Sequence, residues 1–457
     1  MRLLYLACAL ALGLSSIAAP AATPAAASPA TDVPGSEAIV SKTLANGLKI
    51  IVWPDHDITN ANFYTFYKVG SRNEYPGITG LAHYFEHMMF NGTSRRAPGA
   101  FDREMEAAGG SNNASTSNDL TIYTDWFPSG ALETIFDLEG DRMANLAFDP
   151  KVVESERGVV YSERRSSVDN DNFGTLLEQM QATAFTAHPY QFPTIGWPSD
   201  IEHWKLDDLK RFFKTYYAPN NAVLVIAGDV DAAQVFALAD KYLAPLQKQP
   251  EPTPITTVEP EQLGERRLVV ERSDAQSSIV AYAFHSGMGA GDKRFPTLEL
   301  LTTILSQGQS SRLHQRLVER EQAATQAGAF AEAGFDPGLL WVYAMLPPGG
   351  DMARVESLLD DELAKIARDG VSADELAKAR NLKASSFWRG MATINGKARA
   401  LGTYEVFNGD YRKLFDAPSA YDAVSAADVQ ALAKRILRIQ NRTTGLLKPV
   451  AAKEAAK

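Results

Sequence analysis

The feature that most restricts the fold of this chain is a long internal repeat. In the first half a helical segment, Leu209–Tyr217, runs through Asn220-Asn221 into a strand, Ala222–Ala227. In the second half Val429–Leu437 runs through Gln440-Asn441 into Thr443–Leu447, about 220 positions later. Nearer the starts, a β-rich stretch ending at Phe63–Gly70 is followed by a helix from about Thr79. Val280–Gly287 and a helix from about Pro296 repeat that order. A repeat of this length is a duplicated domain rather than a solenoid unit. The stretch from Gln249 to Pro260 holds four prolines, which remove backbone donors and fix φ, so it reads as the joint between the copies. Leu48–Trp53, Ala61–Val69, Thr121–Trp126 and Val223–Ala227 are β-branched or aromatic runs. Leu132–Asn145 and Leu206–Tyr217 carry apolar residues at helical spacing. The expected class is α+β, two homologous domains, each a mainly antiparallel sheet with helices packed on one face. The expected division is a first domain over 38–248, a Pro-rich linker over 249–263, a second domain over 264–450 and a tail over 451–457.

The first residues read differently. Arg2 precedes a small apolar run from Leu3 to Ile17 and then Ala18-Ala19-Pro20-Ala21, the pattern of a secretory signal peptide over 1–21. A flexible Ala- and Pro-rich linker over 22–37 follows. No later apolar run approaches the ~20 residues that span a bilayer. Cys8 is the sole cysteine, which excludes an intrachain disulfide, a Cys-based zinc site and a thiol relay. A formal charge of −10 argues against a nucleic-acid partner. Asn91-Gly-Thr93, Asn113-Ala-Ser115 and Asn441-Arg-Thr443 match the glycosylation triplet. Two of them fall beside the chemistry described next, which favours a bacterial periplasm over a eukaryotic secretory route.

The chemistry centres on Gly80-Leu-Ala-His83-Tyr-Phe-Glu86-His87-Met-Met-Phe90. On a helix, residues three and four apart share a face. His83, Glu86 and His87 therefore project into one sector of about 100°. Two nitrogen ligands with an adjacent carboxylate suit a zinc ion that keeps an open position. The carboxylate is placed to take a proton from a water that such an ion acidifies. This His-x-x-Glu-His order is the inverse of the commoner zinc-peptidase motif. Two histidines leave a tetrahedral site one protein ligand short. A second helix opens at Asp149-Pro150, aspartate at N-cap and proline at N1, and carries Glu156 and Glu163 on one face. Val152, Val153, Val159 and Val160 are expected to bury much of the rest. One of the two glutamates could complete the metal site while the other accepts an imidazole N–H.

With these motifs the chain resembles the pitrilysin/insulinase family of zinc peptidases, in the two-domain form similar to the catalytic subunit of mitochondrial processing peptidase. The resemblance implies one zinc ion per chain, held by His83, His87 and Glu163, the last following His87 by 76 positions. It implies Glu86 as general base and Glu156 as the family's additional catalytic-site glutamate. Gly109-Gly-Ser-Asn-Asn113-Ala114-Ser115-Thr116 matches the family's Gly-Gly-x-x-Asn-Ala-x-Thr segment, where an extended peptide substrate adds as a strand beside Asn113, Ala114 and Ser115. The second domain matches as an inert repeat facing the first across a chamber. Leu300, Thr303 and Ile304 stand where His83, Glu86 and His87 stand in the first. One departure matters. Many active members carry an arginine and a tyrosine seven residues apart in the second half, where this chain has Val318 and Thr325. The expectation is therefore a heterodimer, in which a related subunit without zinc ligands supplies that pair, with a homodimer as the alternative. The rival to an endopeptidase is a non-catalytic peptide-binding or assembly subunit of the same fold.

Overall fold

The computed structural model describes residues 32–450. The expected signal peptide with Cys8, the linker up to residue 31 and the tail lie outside the described residues. The first sheet has six strands: β1 (Val40–Thr43), β2 (Lys49–Pro54), β3 (Asn60–Tyr67), β4 (Ser111–Thr116), β5 (Thr121–Pro128) and β6 (Ala222–Gly228). They lie in the order β1-β2-β6-β3-β5-β4. The second sheet is β7 (Arg266–Arg272), β8 (Ile279–His285), β9 (Gln326–Ala331), β10 (Leu339–Met345) and β11 (Arg442–Pro449), in the order β7-β11-β8-β10-β9. Without β1 the two orders are the same. In each, the last strand runs parallel to the first and antiparallel to its other neighbour, β2 with β6 and β3, β7 with β11 and β8. Both sheets are thus mainly antiparallel, and the duplication is one of topology as well as of sequence pattern.

One detail repeats at atomic level. The Asn221 amide donates to the carbonyls of Tyr216 (2.8 Å) and Lys68 (3.3 Å), tying the end of a helix to its neighbouring strand. Asn441 does the same to Ile436 (2.9 Å) and His285 (2.9 Å). These bonds satisfy carbonyls that a helix C-terminus leaves free. They also bury Asn441, so its glycosylation triplet is not presented at the surface.

The sheets carry helices on both faces, where the sequence pattern placed them on one. Within each half, one face packs on that half's own helices. In the first half these include α1 (Leu81–Met88) and α2 (Pro150–Arg164), whose apolar residues share a core with Ile50, Phe63, Tyr123 and Leu224. The opposite face is covered by a helix lent from the other half. Leu176, Met180 and Ala184 of α3 (Asn172–Ala184) pack on Ala281, Ala283, Trp341 and Leu447 of the second sheet. In the second half α4 (Phe295–Ser306) packs on the inner face, with α5 (Ala373–Met391) packed against α4. Ile394, Ala398 and Leu401 of α6 (Ile394–Asn408) return the exchange, packing on Ile51, Tyr64, Phe66 and Val225 of the first sheet. The strands require this. Ala-Val-Leu-Val-Ile-Ala-Gly in β6 is buried throughout, which no one-sided sheet allows. The halves meet through these lent helices.

The segment over 249–263 is extended but anchored. The Glu259 carboxylate accepts the backbone N–H groups of Thr186 (2.8 Å), Ala187 (2.9 Å) and His188 (2.9 Å). A partly buried polar latch joins the halves close by. Arg72 pairs with both Asp119 and Asp336, the Tyr190 hydroxyl donates to Asp119 (2.8 Å), and His188 Nε2 lies 3.1 Å from Asp336. Burial pushes the Asp119 carboxyl up to about 6, against the pull of Arg72. A folded-state value above the unfolded one means that the group favours folding most below pH ~4 and loses that contribution as pH rises to about 6. Thermal unfolding between pH 4 and 7 should therefore show a decline of about 2–3 kcal/mol that Asp119→Asn flattens. No helix among the described residues is long and apolar enough to cross a membrane.

Candidate metal centre

The centre stands on α1 and α2. Gly80, the residue before α1, has no side chain to cap it, and the buried Glu74 carboxylate takes that place by accepting the N–H groups of Gly80 and Ala82, each at 2.7 Å. Leu81, Tyr84, Phe85 and Met88 turn into the core, which leaves His83, Glu86 and His87 on the outward face. The Tyr84 hydroxyl donates to the Val153 carbonyl of α2 at 2.9 Å and fixes the two helices to each other. At the start of α2 the Asp149 carboxylate accepts from Lys151 (2.8 Å) and Val152 (3.3 Å), with Pro150 as first helical residue. Val153 and Val160 are buried, but Val159 is 47% exposed, contrary to the expected apolar stripe.

The two glutamates divide as the pairing geometry dictates. His83 Nε2 lies 3.6 Å from Glu163 Oε1, and His87 Nε2 lies 3.2 Å from Glu163 Oε2. One ligand atom from each of the three residues falls within 4.8 Å of the others, the one such cluster among the described residues. Glu156 sits behind His87, its Oε1 2.8 Å from Nδ1, while its other oxygen accepts from Asn91 Nδ2, also at 2.8 Å. Asn91 bonds to the His87 carbonyl as well (3.2 Å). The sequence offered Asn91 only as the start of a glycosylation triplet; its position one turn beyond His87 was the available signal for this role. Burial lowers the pKa of His87, but the hydrogen bond it donates to Glu156 and the carboxylates of Glu163 and Glu86 outweigh it and raise the value. The bond to His83 and the charges of both imidazoles hold Glu163 below the usual carboxylate range despite partial burial.

These residues fit zinc. Tetrahedral bonds of about 2.0–2.2 Å separate ligand atoms by about 3.4 Å, close to the separations seen. His87 Nδ1, held by Glu156, is the donor nitrogen that leaves Nε2 free for a metal. His83 Nδ1 is buried without a partner among the described residues, so no hydrogen bond on that side of the ring orients the imidazole as Glu156 orients His87. Weakening the support behind His87 should be measurable. Glu156→Gln is expected to lower zinc affinity about 10- to 100-fold in a chelator competition, without unfolding the chain.

Of the residues expected to meet substrate, Asn113, Ala114 and Ser115 all lie on β4, the outermost strand of the first sheet. Asn113 and Ser115 face solvent and Ala114 packs toward the core. The Asn113 side chain caps the Ala114 amide at 2.9 Å. Thr116, at the end of the strand, donates to Glu86 Oε2 at 2.5 Å. In the second half Leu300, Thr303 and Ile304 are buried in α4, and the polar link from α5 is Lys383 Nζ to Glu299 at 2.7 Å. Arg316, near the departure at Val318 and Thr325, is committed to Glu321 (2.9 Å) and Asp361 (3.3 Å).

Fold and site together define a duplicated α+β scaffold with one His-x-x-Glu-His helix facing a distant glutamate. The chain belongs to the pitrilysin/insulinase family: residues 55–196 match insulinase (peptidase family M16) and residues 203–383 match the peptidase M16 inactive domain. It is 31% identical over 416 residues to the zinc protease PqqE of Helicobacter pylori, covering 90% of this chain and 92% of the relative. A crystal structure of a protease from Helicobacter pylori superposes with TM-score 0.87 at 28% identity, covering 92% of this chain and 100% of that one. The periplasmic protease PqqL of Escherichia coli shares the fold, with TM-score 0.75 at 20% identity over 94% of this chain and 50% of that one.

Proposed function

We propose that this chain is a zinc metalloendopeptidase that hydrolyses peptide bonds in unfolded or extended peptides. The observation that carries this reading is the convergence of His83, His87 and Glu163 from two helices within 4.8 Å, with Glu86 on the same face. Bound zinc supplies Lewis acidity that lowers the pKa of a water and polarises a carbonyl. Glu86 takes the proton of the attacking water, and Glu156 holds the His87 ring in register. β4 is an edge strand beside these groups, so an extended peptide can pair with its free backbone near Asn113, Ala114 and Ser115. Zinc stoichiometry measured together with chelator-sensitive cleavage of an unstructured peptide tests the reading. A chain that binds zinc one to one and cleaves nothing, alone or with its partner, overturns it.

The signal-peptide pattern supports export to the periplasm, and the Helicobacter relative named a zinc protease supports the metal. We place the chain as the metal-bearing subunit of a heterodimer, its partner a related subunit without zinc ligands. The support is that Val318 and Thr325 offer neither guanidinium nor phenol, and that Arg316 is held elsewhere. Full peptidase rates from the purified chain alone would favour a homodimer. The same gap favours a second reading, a peptide-binding or assembly subunit that does not cleave, for which zinc binding without turnover in every mixture is the expected result.

A further inference from the structure

The structure singles out Thr116, a residue with no role in the chemistry so far. Side chains alternate along β4: Ser111, Asn113 and Ser115 are exposed, while Asn112, Ala114 and Thr116 are half-buried on the side of α1. Thr116 alone of that second set hydrogen-bonds to the helix, its hydroxyl 2.5 Å from Glu86 Oε2. That length belongs to charge-assisted O–H···O⁻ bonds, about 2.5–2.7 Å. The donor is fixed from several sides. Thr116 pairs with Thr121 in the ladder, and Thr121 is itself tied to the Val69 carbonyl at 3.0 Å. The turn that follows closes through Ser117 N–H to Leu120 O (2.8 Å), and Asp119 within it is held by Arg72 and Tyr190. A β-branched side chain on a clamped strand has little rotamer freedom. Glu86, by contrast, is a long side chain on the outward face of α1, and its Oε1 has no protein partner among the described residues.

We propose that Thr116 is a positioning residue: it engages Glu86 Oε2, fixes the carboxylate plane and leaves Oε1 as the single free basic oxygen. The inference rests on the reading of Glu86 as general base. It joins the strand that receives substrate to the group that moves the proton, through one hydroxyl. A base that samples several rotamers is out of place for much of the time, and a misplacement of 1 Å costs on the order of 100-fold in rate.

The test uses the full chain, with its partner if one is needed, on an unstructured fluorogenic peptide. Thr116→Val should keep its zinc and its thermal midpoint and lose about 10- to 100-fold in kcat, with KM within about twofold. Thr116→Ser should recover to within about threefold of the parent, since it restores the donor. Binding gives a readout apart from turnover. Glu86→Gln and Glu86→Gln/Thr116→Val should bind the uncleaved peptide with Kd values within about twofold of each other, because the hydroxyl serves the base and not the peptide. An unchanged kcat in Thr116→Val, a loss confined to KM, a serine variant as poor as valine, or weaker peptide binding by the double variant overturns the proposal. Parental turnover in Glu86→Gln overturns the general-base reading and the Thr116 role with it; an inactive Glu86→Gln beside an unimpaired Thr116→Val overturns the Thr116 role alone.

Discussion

Replacing Glu163 by glutamine is expected to give a folded chain whose zinc affinity has fallen by more than about 100-fold and whose peptidase activity has gone with the metal. Glu86→Gln is expected to behave oppositely, keeping stoichiometric zinc and losing about 10²- to 10⁴-fold in kcat. The contrast follows from position. Glu163 stands between the Nε2 atoms of His83 and His87, at 3.6 and 3.2 Å, where a neutral amide neutralises none of the ion's charge and is a weaker zinc ligand than a carboxylate. Glu86 pairs with neither imidazole; its carboxylate accepts from the Thr116 hydroxyl. Metal content and steady-state rates on the same preparations separate the two roles. Stoichiometric tight zinc in Glu163→Gln would remove that residue from the ligand set.

The sequence made some of this legible and left the rest open, for physical reasons. Short-range signals survived well. The i, i+3, i+4 spacing put His83, Glu86 and His87 on one face of α1, and Asp149-Pro150 marked the start of α2, where the structure has both. Glu156 and Glu163 could not be told apart by periodicity, because seven residues return a helix to nearly the same angle. Two turns of axial distance separate them, and the order in which α2 crosses α1 puts Glu163 at the ring edges and Glu156 behind His87. Thr116 lay inside a recognised segment, but its bond to Glu86 crosses from strand to helix and has no local signature. The lent helices were hidden for a similar reason. The apolar residues of α6 are spread around the helix and those of α3 gather on one face, but neither pattern says whose sheet the helix covers.

The exchange makes the second large prediction. Gly402 of α6 lies so close to the first sheet that a Cβ placed there would fall 2.1 Å from the Phe66 ring. Gly445 of β11 gives the reciprocal contact, 2.3 Å from Met180 Sδ of α3. A ring is less able to yield than a thioether, which has three rotatable bonds and fills irregular space. Gly402→Val should therefore be the more damaging of the two, costing at least about 3 kcal/mol and much of the soluble yield, whereas Gly445→Val should cost about 1–3 kcal/mol. Removing Phe66 distinguishes a steric cause from lost backbone freedom. Phe66→Ala alone should cost about 3–5 kcal/mol by opening a cavity, yet in the Gly402→Val background it should restore part of what valine removed, a coupling of at least about 1 kcal/mol in a double-mutant cycle. Additive losses would show that Gly402 is needed for its own backbone and not for the approach of the ring. The consequence reaches the metal centre, because β3 carries Phe66 on one face and Phe63 and Tyr67, packed with α1, on the other. An inert half that merely covered the first could be loosened without disturbing α1; one that supplies the second layer of the same sheet cannot.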